Sequence, residues 1–341
     1  MREGEIVTIK DIARESGYAV GTVSRVLNGD KRVSETAYER VMAVVKKHNF
    51  VLNSNARALK QHISRTIGVI VKGTQNSLFS SILERVQSLM AQTNYTVTAA
   101  YIDEDANEVE RAIQLVKDIK PLGIMFLGAD SSNFDRFGVI RIPCVVVTGQ
   151  VNAEAFDNLA SVTTDDRCGA EAAMDFLLNL GHTAIGVLSG NRQVSEISRL
   201  RFEGCAESMQ KHNIPFDASS QMQTARFSYK SAYSAMNRLI IREPKLTAVF
   251  AMSDTMAIGA IRALCDMGYR VPEDISVMGY DGLKIASFYN PKLTTIRQDT
   301  EQLAEQSVNI LLDMIDRGAS PSHITVPFAV VAGDSVAAKN G

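Results

Sequence analysis

Two hydrophobic rhythms divide the 341-residue chain. From Thr8 to His48, apolar residues recur at three- and four-residue steps in short runs broken by glycine. Ile9, Ile12, Ala13 and Ser16 share one helical face, and Gly17 follows as a residue able to take positive φ, so a first helix is predicted to end there. Thr8 and Asp11 have the spacing of a capping box at its start. A second helix fits Val20 to Asn28, with Val23, Val26 and Leu27 inward. Ser34 can cap a third, Glu35 to His48, which turns Ala37, Val41, Val44 and Val45 inward. From Ile67 the rhythm changes. Apolar runs such as IGVIV (67–71), GIMFLG (123–128), AIGVLSG (184–190) and TAVFAM (247–252) alternate with helical stretches. Repeated βα units in two similar sets predict two doubly wound α/β subdomains behind an all-α head. Such sheets take ligands at the carboxyl ends of their strands, so a cleft between the two is expected.

Three short helices with a tight turn between the first two make a helix-turn-helix unit. Its second helix is narrow enough for the DNA major groove. Arg25 can donate twice to a guanine edge, and Val20 can touch a thymine methyl. Thr22, Ser24 and Asn28 have the length to reach phosphates. Charge supports this reading. Residues 1–65 hold 12 Lys/Arg against 7 Asp/Glu, a net +5, whereas 66–341 hold 24 against 31, a net −7. A basic front joined to an acidic body suits contact with a polyanion at one end.

Other features narrow the classes. No apolar run of about 18 residues suggests a membrane span. The start MREGEIVTIKD lacks a secretory pattern, so a cytoplasmic location is expected. Cys144, Cys168, Cys205 and Cys265 lie far apart and suit reduced thiols. Five histidines stand singly, and no phosphate loop, dinucleotide fingerprint, nucleophile elbow or zinc-protease motif occurs. No enzyme, metal or cofactor is expected.

The stretch TIKDIARESGYAVGTVSRVLNG, with RVSETAYERV and ARALK (56–60) after it, resembles the head of the lactose-repressor (LacI/GalR) family, and the likeness continues to the chain's end. It implies a head at 1–50, a hinge at 51–65 and a core at 66–341, whose N-subdomain spans about 66–160 and 292–321 and whose C-subdomain spans about 161–291 and 322–335. Three crossovers follow, near 160, 290 and 322. The resemblance puts base reading at Val20, Gly21 and Arg25, with Thr8 also at the DNA. It makes Asn53 to Lys60 a hinge helix in the minor groove, where Leu59 wedges between base steps beside Asn53, Ala56, Arg57 and Lys60. Two departures bear on the head. Ala19 stands where the family has a capping serine, and Gly21 has no side chain to read a base, so the second helix is expected to be soft.

For the body, the resemblance implies an effector gripped by Arg199, with Arg201 two residues on as the alternative, and by Asp281. Asp165, Asp166 and Asp254 are further candidates, and Phe79 and Phe227 can stack on a ring. A guanidinium and a carboxylate facing one cleft suit a polyol. Gly149 falls where some members carry a large aromatic. The expectation is a homodimeric regulator, a repressor in its usual form, on a near-palindromic double-stranded DNA operator. Its effector is a sugar or sugar derivative, with a nucleoside as second choice. A sugar-binding protein with an idle head, control by a partner protein, and an enzyme on the same scaffold are the alternatives.

Overall fold

The computed structural model describes residues 7–27, 30, 32–48, 50, 65–74, 76–149, 152 and 155–339. Asn28, Asn53, Ala56, Arg57, Leu59 and Lys60 lie outside the described residues. The chain splits into two compact units, Met1–Ser64 and Arg65–Gly341.

The first unit contains α1 (Ile9–Ser16), α2 (Val20–Leu27) and α3 (Glu35–Lys47). Asp11 accepts from the Thr8 N–H at 3.0 Å and the Thr8 hydroxyl at 2.6 Å, which closes the start of α1. Those bonds hold the Asp11 carboxyl below its ordinary pKa. Gly17, at φ 78°, ends α1 with its N–H on the Ala13 carbonyl. Each helix contributes a narrow apolar stripe, so Ile12, Ala13, Val23, Val26 and Val41 form one small core. Glu15 joins α1 to the end of α3 by accepting from Lys47 at 2.5 Å and bonding the His48 ring at 2.6 Å.

The second unit has two six-stranded sheets. The first lobe contains β1 (Thr66–Lys72), α4 (Ser77–Met90), β2 (Thr96–Ile102), α5 (Glu108–Ile119), β3 (Gly123–Leu127), a 3-10 stretch at Ser131–Val139, β4 (Cys144–Val147) and β5 (Leu159–Thr163). The second contains α6 (Asp166–Asn179), β6 (Ile185–Ser189), α7 (Glu196–Lys211), α8 (Ala218–Gln221), β7 (Met222–Thr224), α9 (Tyr229–Arg242), β8 (Ala248–Ala251), α10 (Asp254–Asp266), β9 (Ser276–Asp281) and β10 (Thr294–Gln298). Last come α11 (Thr300–Arg317), β11 (His323–Thr325) and β12 (Phe328–Val331). The strand orders are β11-β5-β4-β3-β1-β2 and β12-β10-β9-β8-β6-β7, parallel except where β12 meets β10. Helices cover both faces, so β3, β4, β6, β8 and β9 are buried along their whole length.

The expected two-lobed architecture is present, with boundaries that differ. The resemblance places residues 292–321 in the first lobe, yet Thr294–Gln298 pairs with β9 in the second. It places residues 322–335 in the second, yet His323–Thr325 pairs with β5 in the first. The run ITVPFAVV is two strands in two sheets, because Pro327 has no N–H to continue a ladder. The crossovers therefore fall between Thr163 and Asp166, between Gln298 and Thr300, and between Thr325 and Phe328. The short strands β5 and β7 carry too little pattern to be seen in the sequence.

Candidate functional site

In the head, α2 turns Val23 and Val26 into the core and leaves Val20, Gly21 and Arg25 exposed, with Thr22 and Ser24 half-buried beside them. One face of this helix therefore holds the proposed base-reading positions. The carbonyl of Ala19 accepts from Thr22 and Val23, but its methyl offers nothing to the free N–H groups of the first turn.

In the body, a cavity of about 220 Å³ lies between the lobes and is walled by strand ends. Lys72, Asn76, Phe79, Asp103 to Asp105, Asp130 and Thr148 come from the first lobe. Asn191, Ser195, Arg201, Arg226, Phe227 and Asp281 come from the second. Two glycines let the rings sit where they do. Gly128, at φ +79°, would carry a Cβ only 2.8 Å from the Phe79 ring, and a Cβ on Gly190 would meet Phe227 at 2.7 Å. Gly149 backs onto the loop that follows β3, where a Cβ would lie 2.8 Å from the Ala129 nitrogen. A large side chain there would have no room at its root.

The arginine at the wall is Arg201; Arg199 is not. Ser195 accepts from the Ser198 N–H and caps the start of α7, so Arg199 falls within its first turn. Arg199 then faces outward, paired with Glu196 and, at 2.5 Å, with Glu203. Arg201 stands about 200° further round the helix. It is buried, donating from Nε to Asp166 Oδ1 at 2.8 Å and from Nη1 to the Met252 carbonyl. Its guanidinium lies 3.6 Å from the Tyr280 ring centroid. Burial opposes its charge, but Asp166, Tyr280 and Asp281 outweigh that and raise its pKa. Burial pushes the Asp166 carboxyl up, against the pull of Arg201. Asp166 thus positions Arg201 from behind, without lining the cavity.

Asp281 ends β9 at φ +116°, a left-handed conformation costly for a non-glycine residue and often found at functional sites. Oδ1 accepts from Gln298 at 2.9 Å and lies 3.8 Å from Arg201 Nη2. Burial pushes its pKa up to about 7, with Arg201 and Gln298 pulling the other way. Asp254 and Asp165 serve the wall. Asp254 accepts from Thr295 at 2.6 Å and from the Leu283 N–H at 2.7 Å, and burial with nearby Asp281 raises its carboxyl well above the ordinary range. Asp165 caps α6 through the Cys168 N–H. Of the seven residues expected to meet an effector, the cavity brings together Phe79, Phe227 and Asp281.

Sequence reasoning passed over Lys72, Asp103 to Asp105, Asp130 and Arg226. Lys72, Asp103 to Asp105 and Asp130 end or follow legible strands, so the strand-end rule pointed to them; Arg226 follows β7, which is too short to read. Lys72 is held at 2.8 Å by Glu108, a wholly buried carboxylate that also accepts from Asp130 N–H and Asn133.

Residues 8–53 match the model of the lacI family of bacterial regulatory proteins, and 174–336 match a periplasmic binding protein-like domain. The HTH-type transcriptional regulator MalR of Clostridium butyricum is 32% identical over 335 residues, 96% of this chain and 99% of that one. The chain belongs to the lacI family. As a lacI-family protein it is a sequence-specific DNA-binding regulator with an effector-binding fold, and the family's members are regulators, not enzymes. Among solved structures, the lac repressor dimer bound to operator and the anti-inducer ONPF is 26% identical, with TM-score 0.79, and covers 98% of this chain and 100% of its own. A complex of the transcriptional regulator CelR with cellobiose is 25% identical, with TM-score 0.69, and covers 97% and 100%. No helix among the described residues of this lacI-family chain is long and apolar enough to cross a membrane.

Proposed function

We propose that this regulator, as a homodimer, holds a near-palindromic operator and that a neutral sugar or sugar derivative in the cleft sets its affinity for DNA. The observation that carries the reading is the cavity wall. Arg201 and Asp281, 3.8 Å apart, present a guanidinium and a carboxyl to the same space, beside Phe79 and Phe227. Paired hydrogen-bonding groups beside apolar rings suit a molecule with neighbouring hydroxyls and C–H faces. The volume is below the usual 300–1,000 Å³ or so of drug-sized pockets, which favours a small ligand. Charge argues against phosphate esters. Lys72, Arg201 and Arg226 already pair with carboxylates, while Asp103, Glu104, Asp105, Asp130 and Asp281 also line the space. A nucleoside is less well served, because Gly149 leaves no stacking wall on that side. The relative in complex with cellobiose accords with a sugar.

On the DNA side, Val20 and Arg25 would read bases at the face that also carries Gly21, with Thr8, Thr22, Ser24 and Asn28 near the backbone. Asn53, Ala56, Arg57, Leu59 and Lys60 would supply the hinge. Effector binding would favour one lobe arrangement, and operator affinity would shift by the difference in effector affinity between states. Two assays test the reading on the full chain. A thermal-shift screen of neutral sugars, their phosphate esters and nucleosides should give its largest rise with a neutral sugar. A gel shift on the operator should fall steeply with salt, change when that sugar is added, and lose sequence preference in Arg25→Ala. A phosphate ester as the best ligand would overturn the effector class, and unchanged operator preference in Arg25→Ala would overturn the reading of α2.

A further inference from the structure

We propose that Arg226 and the carboxylates of Asp103, Glu104 and Asp105 form an ionic gate that holds the mouth of the cleft shut before an effector arrives. Arg226 follows β7 in the second lobe, and the three carboxylates follow β2 in the first. Its Nε donates to Glu104 at 2.7 Å, and its Nη2 contacts Asp105 at 3.1 Å and Asp103 as well. The next N–H, that of Phe227, reaches the other Glu104 oxygen at 3.4 Å.

Topology makes this a gate. All three crossovers leave or enter β5 and β11 in the first sheet and β10 and β12 in the second. They gather at one side of the cleft, whereas β2 and β7 are the outermost strands at the other. A contact between those two edges acts with the longest lever against rotation about the crossovers. Nearer the middle, the lobes meet through the Glu196 N–H on Asp130 at 2.9 Å and the Ser131 hydroxyl on Glu196 at 2.9 Å. Those are hydrogen bonds with one uncharged partner each. The Arg226 cluster is ionic and exposed, with half of the Arg226 side chain and more than half of Asp103 and Asp105 open to solvent. Salt therefore screens the gate more than it weakens the inner contacts. A gate shut in advance raises the fraction of chains ready to grip a ligand and excludes molecules too long for the cavity.

The gate's purpose rests on the cleft being an effector site, but its test needs neither effector nor DNA. Amide hydrogen exchange is followed on the full chain, in peptides covering 76–83 and 191–201, walls of the cavity outside the Arg226 cluster. Arg226→Gln should speed exchange there on the order of fivefold, the size expected for an exposed ion-pair network. Arg226→Glu should go further, because it sets like charges against each other. Raising salt from about 0.1 M to about 1 M shortens the screening length from about 10 Å to about 3 Å and should speed the wild type but not Arg226→Gln. Equal rates in wild type and Arg226→Gln, or changes confined to peptides bearing 103–105 and 226, would overturn the gate. If Arg226→Glu does not fold, Arg226→Gln and the salt series still decide.

Discussion

Arg201 and Asp166 meet at 2.8 Å between Nε and Oδ1, with both side chains shut off from solvent. Arg201 lines the cleft and Asp166 holds it from behind, and the pair's value is asymmetric. Replacing both partners by apolar groups can cost little, but removing one strands a buried charge. Asp166→Ala should therefore lower stability by about 3–5 kcal/mol in urea unfolding, and Asp166→Asn by less. Both should also weaken the effector's thermal shift, since Arg201 would lose its orientation. An unchanged unfolding midpoint in Asp166→Ala would show that the charge is met elsewhere.

Asp281 sets a pH dependence. Its folded pKa, about 7, stands above the ordinary 3.8, so the folded chain binds this proton more tightly than the unfolded chain does. The stability that this proton adds is fully present below about pH 4 and is lost as pH rises toward 7. Urea titrations of wild type and Asp281→Asn should show wild type losing ground steadily between those limits and holding a constant difference above them. A difference flat from pH 4 to 8 would contradict the assignment.

Gly149 has no space for a methyl group, since its Cβ would fall 2.8 Å from Ala129 N and 3.0 Å from Ala129 O. Both are backbone atoms of the loop that follows β3. Gly149→Ala should cost about 1–3 kcal/mol, read as a lowered melting temperature of the body. Melting equal to wild type would mean that the β3 and β4 ends can part.

The start of α2 can be repaired. Ala19→Ser would let a hydroxyl accept a first-turn N–H, and Gly21→Ala meets nothing within 4 Å. Each should stabilise the head by roughly 1 kcal/mol, seen as slower amide exchange in α2 of the full chain. Ala19→Ser should leave base preference alone. Exchange unchanged in both variants would show that α2 is held by packing of Val23 and Val26, whatever its cap.

The head was the most legible part. Its three helices are local, each marked by a cap, a glycine or an apolar stripe, and its exposed face follows from where Val23 and Val26 must go. The alternation of strands and helices in the body was equally plain. Phe79, Phe227 and Asp281, named from the sequence, line the cavity, and each lies at a strand's end or beside a helix's start. Arg226 was missed because nothing near it in sequence shows that Asp103 and Glu104 lie opposite.

By itself the sequence determined most of the helices and the longer strands, that a basic three-helix head precedes a two-lobed body, and that strand ends would wall a cleft. Those follow from periodicity, capping and charge, which act over a few neighbouring residues. Only the tertiary structure decided that Arg201 and not Arg199 turns inward, that β10 and β11 belong to opposite sheets from those expected, and that Arg226 spans the lobes. Each of these is a choice among faces or edges of equal local merit, settled by which distant surface is there to be packed or paired.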